Sequence, residues 1–253
     1  MPNVITSGRS MPTDIKSDWE EILSSAAHLQ RILPEAVLVR GTAASVHAGH
    51  RILVDADHVL TDLRQRFDEI LAKLESVAGW ETNRVQTPVQ ILGSLDGIDT
   101  GVRQLIREEP LETMIIEVFG LKLTVPTQEE ILRIKGVLIL KRNATRDYLD
   151  FVALADFMDE AKMAHALRHF DRPYPQPSGE SALQQLQIQL ANPLPFDLDP
   201  RKLDEYKHLN ARWHDWEAVR AACVNNAIVI FDRITGLKKE PNDKREPGHD
   251  RLR

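Results

Sequence analysis

Hydrophobic positions along this chain change their spacing twice. From Ser17 to near Pro34 they recur at helical intervals, and Ser17 with Glu20 reads as a capping box that starts a first helix. Ala36–Arg40 (AVLVR) reads as a short buried strand stopped by Gly41, and Thr42–His50 as a short helix. Ile52–Val59 (ILVDADHV) alternates like a strand. Thr61 to about Val77 returns to helical spacing, with Leu63, Phe67, Ile70, Leu71 and Leu74 on one side. Trp80–Thr124 is strand-like, broken at Gly93–Gly101 and Phe119–Gly120, which predicts several antiparallel strands.

Beyond Pro126 the pattern is helical. Thr127 and Glu130 form a second capping box, and helices are expected at about 128–141, 144–158, 160–170, 180–190, 200–209 and 214–236. The proline-punctuated linker Asn192–Pro200 sets the last two apart, with Asp199 and Pro200 as cap and first turn. These elements predict an α+β fold. A mixed or antiparallel sheet with helices (15–125) precedes a helical bundle (126–237), flanked by a flexible N-terminus (1–14) and a flexible charged tail (238–253).

Composition changes this picture little. Of 253 residues, 42% are hydrophobic and 28% charged, which is ordinary for a folded chain. The net charge of -6 gives no global attraction to nucleic acid, and the single cysteine, Cys223, excludes an intramolecular disulfide. Neither a secretory signal pattern nor a run near the ~18 apolar residues of a membrane span is seen, so a soluble cytoplasmic protein with no membrane partner is expected.

Two constellations carry chemistry. In VRGTAASVHAGHRILVDADHVL, a Gly-Thr after a strand is followed by Asp55 and Asp57, which a strand places on one face. Two such carboxylates suit magnesium, which prefers hard oxygen ligands and shares them with phosphates. Gly41 leaves room for a triphosphate, and the Gly41 amide, the Thr42 hydroxyl and the start of the following helix can donate to it. In the second, Lys135 lies on the apolar stripe of Ile131 and Leu138, where an ammonium needs a partner, either a triphosphate or a carboxylate. Arg142 roughly continues that face. Asp147 and Asp150 follow on very apolar turns, where either site chemistry or a buried salt-bridge network with Arg142 or Arg146 accounts for them.

The first segment resembles the opening motif of the polymerase-β-type nucleotidyltransferase superfamily, G-S/T followed by D-x-D, and more closely the AbiEii/AbiGii toxin family (G-G-T-A, then H-R-x-S-x-D-x-D). Arg40 stands where that family often has Gly and Leu53 where it often has Ser, while Arg51 matches. The second segment is similar to that family's K followed by R-x-x-x-R-D-x-x-D, on Lys135, Arg142, Arg146, Asp147 and Asp150. The resemblance implies a transferase that moves an NMP from an NTP. Asp55 and Asp57 would hold Mg2+; Gly41, Thr42, Arg51, Lys135 and Arg142 would bind the nucleotide; and Asp147 and Asp150 would support catalysis. It further implies an RNA acceptor such as the tRNA 3′ end, a toxin role and a cognate antitoxin partner. Transfer to a small molecule such as an aminoglycoside, and a degenerate protein that binds nucleotide or a partner without catalysis, are the alternatives.

A third acid is expected among Asp96, Asp99 and Glu117, the first two flanking a turn at Gly97. His47 and His50 stand at metal-pair spacing but read better as ordinary helix histidines. Trp213, Trp216 and Tyr206 read as core before RNA-stacking groups. The basic residues from Lys238 to Arg253 are interspersed with acids and read as a solvated tail.

Overall fold

The computed structural model describes residues 13–235. The expected charged tail and the first twelve residues of the expected flexible N-terminus lie outside them. Helix α1 (Thr13–Ile32) leads into strand β1 (Val37–Leu38), helix α2 (Arg40–Ala48), strand β2 (Asp55–Leu60) and helix α3 (Phe67–Glu75). Strands β3 (Trp80–Gln86), β4 (Gln90–Leu95), β5 (Ile98–Gln104), β6 (Thr113–Val118) and β7 (Leu121–Pro126) follow. The remainder is helical: α4 (Gln128–Arg142), α5 (Thr145–Asp156), α6 (Glu160–Leu167), α7 (Ala182–Ala191) and α8 (Trp216–Ile230). The α+β class is as expected.

Five strands form one sheet in the order β1-β2-β5-β4-β3, and β6 pairs with β7 as a separate hairpin. Among the described strands only β2 and β5 run parallel, and this pairing sets Asp55 beside Asp99 and Asp57 beside Gly101. Antiparallel neighbours close the rest of the sheet. The larger apolar core runs without a break from Trp19 and Leu23 of α1, through Ala43 and Val46 of α2 and Leu123 of β7, to Leu149 of α5 and Ile230 of α8. Sheet and helical halves therefore share one interior. A smaller cluster, with Phe67, Ile70 and Leu74 of α3 against Trp80, Ile91 and Val102, fills the other side of the sheet.

Several boundaries differ from expectation for local reasons. Helix α1 already runs through Ser17, so that residue caps nothing. Residues 61–66 form turns instead of helix, because Gln104 accepts from the Arg64 amide and donates to the Thr61 carbonyl, holding them at the strand end. The expected helix at 200–209 shrinks to a 3-10 turn at Pro200–Glu205, with Asp199 capping Arg201 N as anticipated. The chain then turns back: the Lys207 carbonyl accepts from Ile52 N and Asn210 N donates to the His50 carbonyl. Only half of the second capping box forms. Thr127 Oγ1 accepts from Glu130 N at 3.1 Å, while the Glu130 carboxylate is taken by Arg107 and Arg133.

Cys223 is fully buried, and burial pushes its thiol up to about 12. Because the thiolate is the nucleophile, iodoacetamide should modify the native protein roughly a hundredfold or more slowly than the urea-unfolded chain. Timed alkylation followed by mass measurement checks this; equal rates would show that the α7–α8 region opens freely.

Candidate active site

Strand β2 carries two acids on one face because side chains repeat every second residue. Asp57 is buried and ion-paired, with Arg40 Nη1 at 2.7 Å from Oδ2 and Arg103 Nε at 3.5 Å from Oδ1. Asp55 is half-buried. Desolvation, then the charge of Asp57, raises its carboxyl above the ordinary range, against the pull of Arg40 and Arg51. The parallel register places Asp99 and Arg103 on the same face as the pair. Of the three expected candidates for a further acid, Asp99 alone lies beside it. Asp96 sits in an exposed turn at φ +55° and pairs with His28 at 2.7 Å, and Glu117 lies opposite Lys122 in the separate hairpin.

Helix α2 rises next to β2. Thr42 is buried, and its hydroxyl donates to the Asp55 carbonyl at 2.6 Å, tying helix to strand. Gly41 has no room for a side chain: a Cβ would lie 2.3 Å from Leu53 Cδ2 and 2.7 Å from Arg51 Nη2. Glycine here lets Arg51 pass beneath the start of the helix. Arg40, the first residue of α2, is left-handed at φ +62°.

Beneath this layer lies a closed ionic network. Asp150 is fully buried and accepts four hydrogen bonds: His50 Nε2 at 2.7 Å, Arg51 Nε at 2.8 Å, Arg51 Nη2 at 3.1 Å and Lys135 Nζ at 2.6 Å. Asp147, also fully buried, takes a bidentate Arg142 at 2.5 and 2.6 Å, with Lys135 at 4.0 Å. Arg51 and Lys135 hold the Asp150 carboxyl well below the usual carboxylate range, overcoming desolvation. Burial lowers His50, so it donates as a neutral imidazole. The ammonium of Lys135 thus faces Asp150, the carboxylate option of the two the sequence left open. Arg142, not the exposed Arg146, is the arginine that neutralises Asp147.

His47 and His50 do not converge. His47 bonds the Pro126 carbonyl at 2.8 Å, whereas His50 serves Asp150. Among the described residues no group of three or more His, Cys, Asp or Glu is arranged to hold a metal ion. Trp213 and Trp216 are buried core groups, Trp216 edge-on to Tyr148.

A cleft of about 670 Å3 opens against this assembly. Arg40, Arg103, Arg107, Lys141, Arg142 and Arg172 line it, opposed by Glu108 and Glu109, with Leu138, Ile106 and Tyr174 among its apolar walls. Asp57 is bonded to two of those arginines. Nothing local marks Arg103, because only the β2–β5 register brings it to Asp57.

Asp150→Asn keeps the shape of the side chain but removes the charge that compensates Arg51 and Lys135. Loss of one partner of a buried ionic group costs about 3–5 kcal/mol, which urea unfolding would register as a lower midpoint. A depressed carboxyl contributes stability that is present above its unfolded value, about 3.9, and lost as pH falls through its folded one. Wild-type stability should therefore decline below about pH 4, and the variant should show a shallower decline. An unchanged midpoint in the variant would contradict the network's structural role.

No family model matches the chain. It is 30% identical over 243 aligned residues to the heme uptake protein MmpL11 of Mycobacterium tuberculosis, covering 85% of this chain and 23% of that protein. The Mycolicibacterium smegmatis mycolic acid-containing lipids exporter MmpL11 is 34% identical over 137 residues, covering 53% of this chain and 14% of that protein. The chain thus spans under a quarter of the length of these relatives. Among the described residues no helix is long and apolar enough to cross a membrane. A solved structure of an H. pylori protein assigned as a nucleotidyltransferase superposes with a TM-score of 0.50 at 15% identity, covering 91% of this chain and all of that one. A mixed sheet followed by a helical C-terminal region is thus a fold this chain shares with that protein.

Proposed function

We propose that this protein is a metal-dependent nucleotidyltransferase that moves an NMP from an NTP onto RNA, with the 3′ end of tRNA as the acceptor, and that it acts as the toxin of a pair with a cognate antitoxin protein. The observation that supports transfer is the placement of Asp55 and Asp57 on one strand face, with Asp57 against two arginines of a cation-lined cleft. The RNA acceptor and toxin role rest on the family resemblance of the two motifs.

Asp55 and Asp57 would hold Mg2+, with the remaining ligands coming from triphosphate and water, as is usual for this ion. The donor set fits: two hard carboxylates stand side by side, and the repulsion from Asp57 that raises Asp55 is the kind a cation relieves. When bound, the metal would neutralise charge building on the phosphoryl oxygens. The protein's own groups do the rest. Arg40, Arg103 and Arg142 face the cleft and can take phosphate oxygens. Gly41 admits Arg51, while Thr42 fixes α2 to the strand. Lys135, Asp147 and Asp150 brace the floor from below.

A second reading, nucleotide binding without turnover, has one observation in its favour: both carboxylate oxygens of Asp57 face guanidinium groups. Incubation with each α-labelled NTP, magnesium and total RNA separates the two. Wild type should label RNA, and Asp55→Ala/Asp57→Ala should lose roughly a hundredfold or more of that activity. NTP retained in equilibrium dialysis, with no label on RNA or on any antibiotic, would decide for the second reading. Growth arrest on expression, abolished by Asp57→Ala, tests the toxin role.

A further inference from the structure

Arg40 combines three features that a helix-starting residue does not need. Its backbone is left-handed although it bears a full side chain, a conformation that persists only where the surroundings enforce it. Its guanidinium lies 2.7 Å from Asp57 Oδ2, an oxygen that a cation would use. It is also 37% exposed, towards the cleft that Arg103 and Arg142 share.

The charges around it are divided. Asp57 and Asp55 attract it, while Arg103 and Arg142 repel it. A guanidinium crowded by like charge, with a single close carboxylate contact and an open side, can exchange that partner for a better one. A phosphate offers two oxygens to the guanidinium fork, adds negative charge to a cationic cleft and relieves the crowding.

We infer that Arg40 is a latch on the acid pair. While it holds Asp57 it keeps divalent cations off that carboxylate, and a polyphosphate entering the cleft draws it away, so phosphate binds before metal. This deepens the proposed function and rests on Asp55 and Asp57 being the metal ligands.

The test uses the full chain and two probes: Mn2+ alone, followed by proton relaxation, and inorganic tripolyphosphate in the presence of a chelator, followed by calorimetry. Arg40→Gly suits the left-handed backbone and should bind Mn2+ at least about fivefold more tightly than wild type. It should bind tripolyphosphate about fivefold more weakly. Adding Asp57→Asn to Arg40→Gly should cancel the gain in Mn2+ affinity. Arg40→Asn, which also tolerates a positive φ, should reproduce both changes, and circular dichroism confirms that each variant is folded. Equal Mn2+ affinity in wild type and Arg40→Gly, with tripolyphosphate binding still weakened, overturns the latch and leaves the acid pair as metal ligands. No Mn2+ binding by any variant overturns both.

Discussion

A single buried carboxylate organises this molecule. Asp150 has no contact with water, and an isolated charge in that position would be prohibitively costly. It is tolerated because His50 and Arg51, from the segment after α2, and Lys135, from α4, converge on its two oxygens. Those donors have no other ionic partner of comparable quality, so the position of each segment is set by the need to satisfy the others. Sheet and helical halves are tied together at this point, and the charge of Arg51 also acts on Asp55 of β2. Such a network is weak evidence for net stability; what it fixes is which donors surround Asp150.

Charge is distributed on a scale that whole-chain totals conceal. The formal net charge is -6, yet six cationic side chains line the cleft, five of them paired with carboxylates: Arg40 and Arg103 with Asp57, Arg107 with Glu130, Arg142 with Asp147 and Arg172 with Glu109. An anionic ligand would bind there by displacing those carboxylates from the guanidinium groups. The buried layer repeats the pattern on a smaller scale. Lys135, Arg51 and Arg142 outnumber Asp147 and Asp150, leaving one positive charge close to Asp55.

Much of the fold was legible because it is written locally. Asp55 and Asp57 share a face by strand geometry alone, and the helices from α4 to α8 fall close to the stretches where the chain reads as helix. The partners of those acids were not legible. Arg103 reaches Asp57 through a parallel register between strands whose bonded residues lie 46 positions apart. Arg51 and Asp150 are 99 positions apart. Spacing could show that Lys135 needed an anion but not which one, since phosphate and carboxylate make the same demand on an ammonium. Residues 61–66 read as helix by spacing and yet form turns, because Gln104, which holds them, arrives from another strand.

The return of residues 207–210 onto His50 and Ile52 has a consequence for how the chain acquires its shape. On the ribosome, the loop between α2 and β2 emerges early, but its carbonyl and amide partners appear only after some 150 further residues have been made. Arg51 gains Asp150 sooner, since the two lie 99 positions apart. A released fragment that stops short of α5 would leave His50 and Arg51 without their carboxylate, to solvent or to a chaperone.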